Sequence, residues 1–66
     1  MQEYQQRVQN ERLELVAKLT ALQNFLESDK FDVIDPEQQH LLVQQHFVMS
    51  LYDDILCKRL AQFNAQ

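Results

Sequence analysis

The sequence predicts an all-α fold in which two helices form an antiparallel hairpin that assembles into a symmetric oligomer. The 66 residues contain no glycine and a single proline, Pro36, whereas a β-rich fold of this size needs several tight turns that contain glycine. Apolar residues recur at helical spacing through most of the chain. Cys57 is the only cysteine, so no intrachain disulfide is available to a domain this small. Association of several copies is the remaining route to stability.

The first helix is predicted from about residue 2 to about residue 27. One helical face carries a row of apolar residues, which are Val8, Leu15, Leu19, Leu22 and Leu26. A second row widens this stripe and holds Leu13, Val16, Ala17, Ala21 and Phe25. The first helix therefore has more apolar surface than one neighbouring helix covers.

A connector is predicted over about residues 28–35, and a second helix over about residues 36–64. Asp35 is a natural N-cap, and Pro36 occupies the first helical position, where its missing N–H costs nothing. Within the connector, Phe31, Val33 and Ile34 are expected to fold back over the end of the helix pair. Together these elements form a single domain over residues 1–66.

The second helix carries two stripes. Its predicted seam has a heptad-like spacing and consists of Leu42, Gln45, Met49, Tyr52, Leu56, Arg59 and Phe63. A second stripe beside it holds Leu41, Val48, Leu51 and Ile55. If one stripe packs inside the hairpin, the other leaves a large exposed apolar patch, which is unusual for a monomer. We therefore expect the second rows to be subunit interfaces in a homo-oligomer, from a dimer to a hexamer.

Charge and composition argue against several classes of protein. The net charge is −4, so no DNA binding is expected, because that relies on clustered Lys and Arg. No apolar run approaches the ~20 residues of a membrane span, and the polar N-terminal sequence does not predict a signal peptide. A lone cysteine favours a reducing compartment. The predicted location is therefore cytoplasmic.

No catalytic, metal or cofactor site is predicted. His40 and His46 are six residues apart, so they point to different faces of a helix instead of converging on a metal. Asp53 and Asp54 are adjacent and diverge for the same reason. Cys57 is interpreted as a packing residue. The absence of glycine excludes a glycine-rich phosphate loop, and the chain is predicted not to be an enzyme.

Several polar or amphipathic residues lie in or beside the apolar seams, namely Arg7, Arg12, Gln45, Tyr52 and Arg59, and Tyr4 lies one turn before Val8. One interpretation is that the arginines extend into solvent or pair with nearby carboxylates such as Glu11 or Glu14. The other is that assembly places arginines and aromatic rings around pockets between subunits. Such pockets suit a planar, anionic small molecule.

These residues also carry a resemblance to a known family. The first part of the pattern consists of Tyr4, Arg7, Val8, Glu11, Glu14 and Leu15, and it continues through Lys18, Leu19, Leu22, Phe25, Leu26, Ser28 and Phe31. The last part runs from Leu41 through Met49, Tyr52, Ile55, Leu56, Arg59 and Leu60. The pattern resembles the helical-hairpin domain of short phage and prophage proteins, which is shared with sponges that counter the CBASS and Thoeris defence systems.

The resemblance implies a function. Such sponges form oligomers and hold a cyclic dinucleotide, a cyclic trinucleotide or a cyclic ADP-ribose isomer between subunits without cleaving it. It therefore implies a sequestering protein in the bacterial host cytoplasm. The ligand-binding residues expected on this basis are Tyr4 for stacking, Arg7 and Lys18 for phosphate, and Tyr52 and Arg59 as pocket walls.

Two other functions remain open. An oligomeric hairpin can bind and inhibit a host protein through an apolar groove. A small RNA-binding hairpin dimer, of the type that controls plasmid copy number, is also short, helical and acidic. It needs a basic stripe on one face, whereas the six basic residues here are spread along the whole chain.

Overall fold

The computed structural model describes residues 2–64, and three α-helices account for nearly all of them. They are α1 (Glu3–Leu26), α2 (Asp29–Asp32) and α3 (Pro36–Asn64). The described part of the chain contains no β-strand, so the predicted all-α class is confirmed there. The molecule measures 48 × 15 × 14 Å, because the 29 residues of α3 extend for about 43 Å at 1.5 Å per residue.

Helices α1 and α3 lie side by side, with the start of α1 beside the end of α3. The Tyr4 ring meets the Phe63 ring edge-to-face at a centroid distance of 5.5 Å. The most buried residues between the helices are Val8, Leu15 and Leu56, whose exposed fractions are 4%, 8% and 0%. Met49, Leu60 and Phe63 pack around this cluster. The small core therefore lies nearer the chain termini than the turn.

The stretch predicted as a connector, residues 28–35, joins the two long helices and contains one further helical turn, α2, that was not predicted. The Ser28 hydroxyl donates to the Phe25 carbonyl oxygen at 2.7 Å, which ties the end of α1 to the turn. The Phe31 ring packs edge-to-face on Phe25 at 6.3 Å. The side-chain amide of Gln39 donates to the Phe31 carbonyl oxygen at 2.7 Å. Val33, which was expected to pack, is 83% exposed, because the turn of α2 carries its side chain outward.

The predicted seam of α3 was correct at every second member only. Leu42, Met49, Leu56 and Phe63 are buried or half-buried, whereas Gln45, Tyr52 and Arg59 are exposed. Where Gln45, Tyr52 and Arg59 were predicted, the half-buried residue lies one position later, at His46, Asp53 and Leu60, and Ser50 and Cys57 are half-buried as well. A 3,4 spacing anchored on Leu42 and Met49 can be completed on either side of the row. The position of α1 selects the side.

The second stripe of α3 is not covered within one chain. We call Leu41, Val48, Leu51 and Ile55 the outer stripe, and their exposed fractions are 46%, 62%, 50% and 55%. On α1 the second row divides, since Val16 and Phe25 are half-buried while Leu13, Ala17 and Ala21 are exposed. The outer stripe of α3 is therefore a prominent uncovered apolar surface.

Candidate ligand-binding surface

The candidate residues lie along one edge of the helix pair. Tyr4, Lys18, Tyr52 and Arg59 are all exposed, and each immediately precedes a half-buried residue that faces the other helix. Because the start of α1 lies beside the end of α3, this position falls on the same side of the seam in both helices. We call these four residues the flank.

The flank is too long for a single small ligand to reach all of it. Tyr4 and Arg59 both lie near the end where Tyr4 contacts Phe63. Lys18 is 14 residues from Tyr4, which corresponds to about 21 Å along α1. Tyr52 lies between these two ends. One chain therefore brings Tyr4 and Arg59 to the same end, but it does not bring Lys18 to them.

Arg7 lies one turn after Tyr4 and directly precedes the buried Val8, so it projects from the same side of α1 as the flank. One of its terminal guanidinium nitrogens donates to a Glu3 carboxylate oxygen at 2.7 Å, and the two side chains are 75% and 82% exposed. An ion pair this exposed contributes little to stability. Exchanging the Glu3 carboxylate for a ligand phosphate therefore costs the fold little.

A second arginine, Arg12, lies between the helices and was not among the five candidates. Its Nε donates to an Asp53 carboxylate oxygen at 3.1 Å, and the two side chains are 37% and 22% exposed. The pKa of Arg12 is raised above its ordinary value, first by attraction to Cys57 and then by attraction to Asp53. The sequence did contain a signal that Arg12 faces the other helix, because Arg12 lies four residues after Val8 and three before Leu15, on the same helical face.

The Arg12–Asp53 pair fixes how the two helices meet beside the flank. Asp53 directly follows Tyr52, so the carboxylate that binds Arg12 also orients the helical turn that carries the tyrosine. A half-buried carboxylate in an apolar seam is costly unless it is paired, and Arg12 supplies the partner. The pair is a positioning element, and neither side chain extends from the flank itself.

Comparison with known proteins places this fold and surface in a defined family. The profile of the Sequestin family matches residues 2–62, nearly the whole chain. The chain belongs to the Sequestin family. It is also 45% identical over 60 residues to an uncharacterized 7.5 kDa protein from the denB–rIIB intergenic region of Enterobacteria phage T4, with 91% of this chain and 94% of the phage protein covered. No solved structure gives a significant match.

The family assignment confirms the resemblance to small phage proteins that the sequence suggested. The name Sequestin denotes a protein that sequesters, so a phage protein with a binding role, not a catalytic one, is the function that the family supports. The exposed flank agrees with such a role, because aromatic rings and cations bind planar anions without any reacting group.

Two adjacent carboxylates of this Sequestin, Asp53 and Asp54, have different partners in the part of the chain that the structure describes. Asp53 bonds to Arg12, whereas Asp54 bonds to Lys58 at 3.0 Å, so these adjacent carboxylates diverge as predicted. Among residues 2–64, no group of three or more His, Cys, Asp or Glu side chains is placed to hold a metal ion. Within the same range, no helix combines the length and the apolar character that crossing a membrane requires.

Proposed function

We propose that this protein is a phage anti-defence sponge that sequesters a cyclic nucleotide immune signal in the cytoplasm of the bacterial host. The signal is a cyclic dinucleotide, a cyclic trinucleotide or a cyclic ADP-ribose isomer, and it is held by a homo-oligomer without cleavage. The observation that carries the proposal is the match of the Sequestin family across residues 2–62. The phage relative of nearly equal length supports the same assignment.

The flank and Arg7 supply the proposed contacts. Tyr4, which is 54% exposed, stacks on a base. Arg7 and Lys18 bind phosphate, and Tyr52 and Arg59 form the pocket walls. Because Lys18 lies about 21 Å along α1 from Tyr4, a pocket that uses both residues combines Lys18 of one copy with Tyr4 of another. The proposed oligomer is therefore part of the binding site.

The expected affinity follows from the same contacts. Stacking on an aromatic ring contributes about 1–3 kcal/mol per base, and hydrogen bonds to a charged group contribute about 1.5–3 kcal/mol each. Nanomolar binding needs about 12 kcal/mol in total, after the entropy of association has been overcome. Two stacked bases and several cations from neighbouring copies reach this range only if the pocket is formed before the ligand arrives.

Calorimetric titration of the wild-type protein with a panel of these cyclic nucleotides tests the proposal. One class should bind in the nanomolar range, and chromatography after heat release should recover it intact. Arg7→Ala should weaken binding at least tenfold, because it removes a charge-assisted hydrogen bond to phosphate. The matched control is Lys30→Ala, which removes an exposed cation from α2, far from the flank, and should leave the affinity unchanged.

Two outcomes would contradict the proposal that this protein sequesters a cyclic nucleotide. One is that no member of the panel binds more tightly than about 10 micromolar, a free energy well short of the nanomolar range. The other is that the released ligand has been hydrolysed. Equal losses in Arg7→Ala and Lys30→Ala would show that general charge, and not the proposed phosphate contact, governs binding.

The exposed outer stripe of α3 favours one alternative, which is an oligomeric hairpin that binds and inhibits a host protein through an apolar surface. In that case the nucleotide panel gives no binding, and a host protein is retained by the wild type but not by a variant with a charge in the outer stripe. The RNA-binding alternative has less support, because it needs a basic stripe on one face, whereas the six basic residues are spread along the chain.

A further inference from the structure

Three of the four members of the outer stripe of α3 are evenly spaced about Val48, whereas Leu51 has Gln45 at the corresponding position on the other side. Leu41 lies seven residues before Val48, and Ile55 lies seven residues after it, so the three side chains share one helical face. All three are about half exposed or more, with Val48 at 62%. A row of aliphatic side chains spaced evenly about its middle member is suited to an isologous contact, in which the same patch of two copies meets about a two-fold axis.

The charges on α3 favour the antiparallel form of this contact. Glu37 lies eleven residues before Val48, in the first turn of α3, and Arg59 lies eleven residues after it. Rotation of a second copy about Val48 brings Glu37 of one copy opposite Arg59 of the other, at both ends of the stripe. A parallel arrangement sets like charges against each other and also aligns the two helix dipoles unfavourably.

The exposed area of the chain agrees with one missing contact per copy. Its accessible surface is 5134 Å², whereas a compact monomer of 7.9 kDa exposes about 4400 Å² by size scaling. The excess of about 700 Å² is close to the ~800 Å² that each partner buries in a stable protein–protein interface. Packing of a second copy on the outer stripe would bury an accessible area of about this size on each chain.

We propose that two copies pair through the outer stripes of their α3 helices, antiparallel, with the two-fold axis at Val48. Leu41 of one copy then packs on Ile55 of the other, and Glu37 of one copy pairs with Arg59 of the other. This inference rests on the homo-oligomer part of the proposed function and is independent of which ligand binds. Because Tyr52 lies beside the stripe, the pairing places the flanks of both copies at the rim of the same interface.

Cysteine cross-linking under mild oxidation tests the register and the direction, with Cys57→Ser as the background. Val48→Cys should form an intermolecular disulfide with itself, because the axis brings the two positions together. Leu41→Cys alone should not, since the antiparallel register separates the two copies of that position by 14 residues, about 21 Å, whereas a disulfide needs Cα atoms within about 7 Å. A mixture of Leu41→Cys and Ile55→Cys should cross-link.

Light scattering after gel filtration tests whether the outer stripe of α3 is the face through which two copies pair. The wild type should have a mass that is an even multiple of 7.9 kDa. Val48→Asp sets two like charges on the axis and should raise the dissociation constant of the pair at least a hundredfold. The matched control is Leu13→Asp, which changes a leucine that is 58% exposed on α1 and should leave the pair intact. Glu37→Arg should weaken pairing, and adding Arg59→Glu should restore it.

Several results would overturn the proposed pairing, and they distinguish its failure from failure of the proposed nucleotide sequestration. Self-cross-linking of Leu41→Cys would show a parallel contact, and dissociation by Leu13→Asp but not by Val48→Asp would show that a different face is used. Failure of Val48→Cys to cross-link would exclude this axis even if the aspartate variants failed to fold. A wild-type monomer that binds a cyclic nucleotide intact refutes the pairing and the shared pocket but not sequestration itself, whereas a correctly paired protein that binds no nucleotide refutes sequestration and leaves the pairing standing.

Discussion

Helix α3 carries apolar side chains on an inner and an outer face, and the two faces have different surroundings. On the inner face, Leu56 is fully buried and Met49 is packed against the core. On the outer face, Val48 and Ile55 remain 62% and 55% exposed. Helix α1 covers the inner face, which also holds His46 and Asp53, and leaves the aliphatic outer stripe open. An apolar row on a helix therefore predicts that the row will be buried, but it does not indicate whether the burying surface belongs to the same chain or to another copy.

Two adjacent carboxylates on α3 show the same contrast. Asp53 faces inward and bonds to Arg12 of α1, and its side chain is 22% exposed. Asp54 faces outward and bonds to Lys58 of its own helix, and its side chain is 59% exposed. Neighbouring residues of identical chemistry therefore have different roles, since one joins two helices and the other lies on the surface of a single helix.

The largest expected effect comes from the inner face. Leu56→Ala should lower the free energy of unfolding by about 3 kcal/mol, because it removes buried methyl groups and leaves a cavity. The measurement is chemical denaturation followed by circular dichroism at the lowest practical protein concentration. The matched control, Leu41→Ala on the outer stripe, should change the value by no more than about 0.5 kcal/mol under these conditions. Equal losses would show that the two faces are not distinct.

An intermediate loss of stability is expected at the start of α3, because the inner and outer faces both depend on the helix being formed. The Gln39 backbone N–H donates to the Asp35 carbonyl oxygen at 3.0 Å, so Asp35 directly precedes the first turn of the helix. Asp35→Ala should cost about 1 kcal/mol through loss of the N-cap. The melting temperature and the self-association should fall together. A change in only one of them would mean that the residue acts on one face and not on the helix as a whole.

The smallest expected effect separates the two carboxylates. Asp53→Asn should lower the melting temperature, because it removes the negative charge of the carboxylate that bonds to Arg12 across the two helices. Asp54→Asn, which breaks an exposed pair within one helix, should leave it nearly unchanged. Repeating the melts at about 1 M salt, where the Debye length is near 3 Å, should narrow the difference. If Asp54→Asn were the more harmful change, the inward position of Asp53 would be wrong.

Much of the secondary structure could be predicted from local chemistry. The all-α class followed from the absence of glycine and from the helical spacing of apolar residues. The start of α3 at Pro36 followed from a residue that fits only the first turn of a helix. Helix α2 was missed because a single turn of helix gives no periodic signal, and it depends on contacts made by Ser28 and Gln39.

The candidate surface could be predicted less completely. Tyr52 and Arg59 were chosen as members of the seam of α3, and they are exposed on the flank beside it. The inter-helix bond of Arg12 was missed because its partner, Asp53, is 41 residues away, and periodicity along one helix contains no information about the facing helix. The roles of the flank residues in binding a ligand stay predictions.

The sequence alone determined that the chain is helical, that α3 begins at Pro36, and that each helix carries more apolar surface than one neighbour covers. These properties depend on backbone propensity and on the spacing of side chains along a single helix. Only the tertiary structure decided that His46, Asp53 and Leu60 face inward and that the outer stripe stays open. The physical reason is that side-chain burial depends on the position of a second helix, and the Arg12–Asp53 pair, which joins residues 41 positions apart, is not visible in the periodicity of either helix.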